Sequence, residues 1–84
     1  MPTICTYRGV TITLYYNDHL PPHFHARYAG HRAEIGIDPV VILAGGLPSP
    51  QLRWTLSWAQ RRQQELKADW DLAQNSQPPL PIQP

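Results

Sequence analysis

Apolar and polar residues alternate along three stretches of the chain, and a period of two predicts strands. Val10, Ile12, Leu14 and Tyr16 share one side of a run whose other side carries Thr11, Thr13 and Tyr15. Its β-branched and aromatic residues suit a pleated surface. Thr3 to Tyr7 is a shorter β-prone run, broken by Arg8-Gly9. From His23 to Tyr28 the alternation returns: Phe24, Ala26 and Tyr28 face one way, His23, His25 and Arg27 the other. Ala29-Gly30 predicts a tight hairpin loop with Gly30 at positive φ. Arg32 to Ile37 then pairs back, antiparallel. A loop of two residues sets Tyr28 against His31, Arg27 against Arg32 and His25 against Glu34. Ala33, Ile35 and Ile37 join Phe24 in the core, because one slip of register would bury Glu34 and expose two isoleucines.

Asp38-Pro39 predicts a turn, Val40 to Leu43 another strand, and Gly45-Gly46-Leu47-Pro48 a loop. Ser49-Pro50 marks a helix start, with Ser as the cap and Pro at the first helical position. The helix is expected to run to about Ala73. Leu52, Leu56, Ala59, Gln63, Leu66, Trp70 and Ala73 form its apolar stripe, for the sheet to cover. Trp54, Trp58 and Leu72 fall beside that stripe. Either loops or the tail wrap over the tryptophans, or Trp54 and Trp58 form a homodimer contact or partner-binding groove. Arg61, Arg62, Gln64 and Lys67 belong to solvent. Asn75-Ser76-Gln77 ends the helix, and Pro78 to Pro84 predicts an extended, polyproline-like tail. Leu80 and Ile82 either cover the tryptophans or leave the PxxP spacing free as a ligand segment. The expected fold class is α+β: a small antiparallel sheet of four to five strands packed against one long C-terminal helix. Residues 1–75 form the single domain, and 76–84 the proline-rich tail.

Composition adds bounds rather than identity. Eighty-four residues allow one small domain. A net charge of +1 gives no bulk argument for nucleic acid, so any anion site must be local. A single cysteine, Cys5, excludes an internal disulfide, fits a reducing compartment and reads as a buried strand residue. With no signal peptide and no apolar run of bilayer length, the expectation is a cytoplasmic protein without membrane contact.

Chemistry concentrates in Asp18-His19-Leu20-Pro21-Pro22-His23-Phe24-His25-Ala26-Arg27-Tyr28, which holds three of the four histidines. The prolines predict a stiff, extended lead-in to the strand. Three readings stay open. His19, His23 and His25, with Glu34 or Asp18 near, would suit zinc or another divalent transition metal. Alternatively, His23 and His25 could exchange a proton across a bound phosphate, since imidazole titrates near pH ~6.5. Glu34 or Asp18 would then orient a ring, Arg27 or Arg32 would hold the charge, and Tyr15 could stack a base. In the third reading a buried Asp18–His pair and the Pro-Pro turn simply fix the entry to the strand. His31, at the hairpin tip, reads as solvated. Gly45-Gly46 lacks the lysine and spacing of a phosphate loop, and the serines offer no triad.

The string Asp18-His19-Leu20-Pro21-Pro22-His23-Phe24-His25 resembles the bacterial domain-of-unknown-function 4160 family. So do Tyr15-Tyr16-Asn17, Gly46-Leu47-Pro48, Trp58-Ala59, Glu65-Leu66, Trp70 and the Pro79-to-Pro84 tail. The resemblance implies one half of a two-gene, toxin–antitoxin-like module, with the product of a neighbouring small gene as partner; the histidine face adds the expectation that it binds or acts on RNA. Three positions depart from the family pattern. Leu20 stands where many members have a third proline, Ser57 where glutamate is frequent, and Arg62 where histidine is common.

Overall fold

Two turns with the same backbone join the first four strands in pairs. Arg8 and Gly9 have φ of 46° and 86°, and Ala29 and Gly30 have 45° and 86°. Two left-handed residues in succession give the hairpin turn whose twist matches that of the flanking strands. The computed structural model describes residues 2–84. It has strands β1 (Thr3–Tyr7), β2 (Val10–Thr13), β3 (His23–Tyr28), β4 (His31–Gly36) and β5 (Ile42–Gly45). They form one sheet in chain order, each antiparallel to its neighbour.

The β3–β4 register is the one the alternation predicts: Tyr28 opposite His31, Arg27 opposite Arg32, His25 opposite Glu34. Phe24, Ala26, Ala33, Ile35 and Ile37 are buried together with Ile4, Val10, Ile12 and Leu14. β2 stops at Thr13 rather than Tyr16, because β3 pairs with Thr11 to Thr13 alone. β5 lies two residues later than the apolar run suggested. The connection from Ile37 to Val41, closed by Gly36 N–H on the Val41 carbonyl (2.8 Å), sets where pairing begins. Gly45 thus ends a strand instead of opening a loop. Its φ is 69°, and a Cβ there would collide with the Arg32 carbonyl oxygen.

The helical segment is two helices, α1 (Ser49–Arg61) and α2 (Gln63–Gln74), not one. Arg62 breaks it with φ −109° and ψ 21°, although Arg62 N–H still reaches Trp58 O and Leu66 N–H reaches Arg62 O. Pro48 holds the cap position, and Ser49 and Pro50 both lie inside the first turn. The buried face also differs from the expected stripe. Thr55, Trp58 and Ala59 are buried in α1, whereas Leu52 and Leu56 are half-buried. Trp58 is fully buried with its ring edge-on to Phe24 (5.7 Å), and an indole of that size turns the helix toward itself. Thr55 can share this face because its hydroxyl donates to Gln51 O (2.8 Å). In α2, Leu66, Trp70 and Ala73 point inward as expected, with Asp69 beside them.

The tail folds back along the outer edge of β1. Ile82 N–H donates to Ile4 O (2.7 Å), Leu80 N–H to Asp69 Oδ1 (2.9 Å), and Trp58 Nε1–H to Gln83 O (2.8 Å). Ile82 is in the core, but Leu80 is exposed, so Pro79 and Ile82 do the covering expected of Leu80 and Ile82. Burial pushes the Asp69 carboxyl up, the Leu80 N–H opposes this, and Glu65 adds to the rise. Among the described residues, no helix is long and apolar enough to cross a membrane. Ile82→Ala should cost about 2–5 kcal/mol of unfolding free energy, as a core truncation does. Leu80→Ala should stay within about 0.5 kcal/mol. Urea denaturation of the two variants checks the difference.

Candidate functional site

β3 sends Phe24 into the core and His23 and His25 to the opposite side, their rings 5.0 Å apart. The chain bends at Leu20-Pro21, whose peptide bond is cis, instead of running extended into the strand. The bend carries Asp18 over the two histidines. Asp18 Oδ2 lies 3.0 Å from His25 Nε2 and 3.0 Å from His23 Nε2. α2 holds this loop in place: Asn17 N–H donates to Ala73 O (3.2 Å) and Gln74 Nε2 to Asp18 O (3.1 Å).

The histidines occupy three different environments. His23 is completely buried, with the Trp70 ring tilted against it (5.6 Å) and Nδ1 donating to Pro21 O (2.7 Å). Its Nε2 makes no hydrogen bond of acceptable geometry, despite Asp18 at 3.0 Å and Glu34 Oε1 at 3.8 Å. His25 is partly open, hydrogen-bonded to Asp18 Oδ2, with Tyr15 tilted over its ring (4.0 Å). His19 is 72% exposed, its Nδ1 donating to Leu20 O (3.2 Å) and its Nε2 lying 3.7 Å from Asp18 Oδ1. His31 is exposed at the hairpin tip.

The three histidines therefore do not form one set of three imidazoles. Donor atoms within 4.8 Å of one another fall into two groups, Asp18–His23–His25 and His19–His23–Glu34, sharing His23. Its burial bears on the acid–base reading: His23 is fully buried, whereas His25 is partly open and lines the neighbouring groove. Burial raises the Asp18 carboxyl. The hydrogen bonds from His25 and from His19 N–H (2.8 Å), with the neighbouring imidazoles, outweigh this and hold it below the usual carboxylate range.

Beside this cluster a groove of about 340 Å³ opens on the sheet face away from the helices. Tyr15, His25, Arg27, Arg32 and Glu34 line it. Arg27 and Arg32 are direct cross-strand partners, and neither makes an ion pair among the described residues. Like charges so opposed repel unless an anion lies between them.

A family model described as a domain of unknown function, DUF4160, matches residues 9–71. The chain belongs to the DUF4160 family. No curated protein and no solved structure is matched. The histidine string that suggested DUF4160 lies wholly within the matched residues. Leu20 and Ser57 are exposed, and Arg62 contacts Glu65 (3.3 Å) and Pro84 O (3.4 Å).

Trp54 and Trp58 are not an open surface. Trp58 is fully buried, and Trp54, half-buried, stacks on Tyr7 (4.6 Å). Sequence reasoning offered Asp18 as a partner for a histidine, but not as the carboxylate shared by His23 and His25, and it missed the support from Trp70 and Gln74. A loop carboxylate at no regular spacing from its partners carries no periodic signal. Asp18 contributes stability above the unfolded carboxylate pKa of about 3.9, and this is lost as pH falls through the lowered folded value. Urea unfolding of the native protein and Asp18→Asn should therefore differ most at neutral pH, with the gap closing below about pH 4.

Proposed function

We propose that this DUF4160 chain is a toxin-like component of a two-gene module that binds or acts on RNA through the open face of its sheet. The observation that carries the reading is the opposed, unpaired arginine pair, Arg27 and Arg32, lining one groove with His25 and Tyr15. Two guanidiniums side by side fit phosphate oxygens, and the tyrosine ring offers a base a stacking surface. His25 is the imidazole at that surface, and Glu34, directly across from it, bounds the groove. An overall charge near neutrality means that binding rests on these few contacts rather than on long-range attraction.

The test is fluorescence anisotropy with a short single-stranded RNA at fixed ionic strength. Arg27→Glu and Arg32→Glu should each weaken binding and flatten its salt dependence by about 0.7 per lost phosphate contact. Tyr15→Ala should cost about 1–3 kcal/mol if a base stacks there. Unchanged affinity in both arginine variants rejects the reading. His25→Ala separates cleavage from binding: it should abolish the first while leaving most of the second.

The free edge of the sheet favours a second reading, a strand-pairing contact with the neighbouring gene's product. β5 is an outer strand, and Val41, Ile42 and Leu43 are exposed to between 41% and 44%. No charged residue lies between Asp38 and Arg53 to discourage pairing. Copurification of the two proteins should survive Arg27→Glu and fail with Leu43→Lys. Survival in Leu43→Lys counts against the edge.

A further inference from the structure

We propose that Asp18, His23 and His25 bind one first-row divalent transition-metal ion, of which zinc is the representative. The proposal does not rest on the RNA reading. His23 supplies the decisive observation. Pro21 O can only accept a hydrogen bond, so His23 Nδ1 is the donor in that contact. In the neutral ring Nε2 then carries a lone pair. That atom is buried, has no hydrogen-bond partner, and faces Asp18 Oδ2 at 3.0 Å with Glu34 Oε1 at 3.8 Å beyond. A lone pair aimed at a carboxylate is unfavourable in a buried setting, and a cation between the two removes the conflict.

The distances fit. Ligand atoms held about 2.0–2.2 Å from one ion stand roughly 3.0 Å apart at a right angle and about 3.4 Å apart at the tetrahedral angle. Asp18 Oδ2 is 3.0 Å from Nε2 of both histidines, and the three donors lie within 4.8 Å of one another. The backbone-carbonyl bond on His23 Nδ1 is the second-shell contact that orients a ligating imidazole and raises its basicity. Two imidazoles and one carboxylate select borderline transition ions over magnesium or calcium, which prefer all-oxygen shells. Glu34 and His19, which form the second donor group around His23, stand where a fourth ligand could be drawn in.

Zinc titration by calorimetry of the metal-stripped protein, without RNA, gives the first readout. Cobalt substitution followed by visible absorption gives the second. The native chain should bind one zinc per molecule, show cobalt d–d bands, and unfold at higher temperature with zinc but not with magnesium. His25→Ala and Asp18→Asn should each weaken zinc at least tenfold, whereas His31→Ala, at the exposed hairpin tip, should bind as the native chain does. His23→Ala removes a buried ring and could fail to fold, so the partly exposed His25 and Asp18 carry the test, with circular dichroism confirming their fold. Substoichiometric binding by the native chain overturns the proposal. So does native affinity in both site variants, which would assign the zinc to adventitious surface histidines.

Discussion

Ala29 and Gly30, two residues in left-handed backbone, fix how β3 lies against β4. A three-residue loop would reverse the pairing parity, and every side chain of one strand would change faces relative to the other. With the observed loop, Phe24 and Ile35 meet in the core, while His25 meets Glu34 and Arg27 meets Arg32 on the far side. The hydrophobic core and the polar groove are thus two results of one register. Burying the apolar residues leaves the sheet no other way to place the charged ones.

The site depends equally on a long-range contact. Asp18 lies on an irregular loop, and the last turn of α2 anchors that loop through Ala73, Gln74 and, beneath His23, Trp70. The carboxylate therefore sits against the imidazoles because the helix packs where it does. His23 joins the two layers: its ring is part of the packed interior, and its Nε2 belongs to the polar cluster. A change in helix packing would be felt at Asp18 before it was felt at the groove.

Strand positions and faces were legible because they follow from neighbours two residues apart. The β3–β4 hairpin could be read to the residue pair. The helical face was less legible in α1, where the burial of Trp58 outweighed the leucine spacing, and the break at Arg62 left no mark in the pattern. β5 was displaced because its start depends on how the Ile37–Val41 connection closes. At the candidate site the histidine-bearing strand was visible and Asp18 was a possible partner, but its convergence on two imidazoles at once was not. Its position depends on a bend and a helix far along the chain.

The two margins of the sheet are treated differently. Along β1 the tail is studded with Pro79, Pro81 and Pro84, which have no N–H, while Leu80 and Ile82 already donate theirs to Asp69 and Ile4. A further strand would find almost nothing to grip there. β5 carries no such cover. A strand that paired with β5 would meet the opposite margin already covered, so growth of this kind would stop after one addition. The proline tail thus leaves β5 as the uncovered margin of the sheet among the described residues.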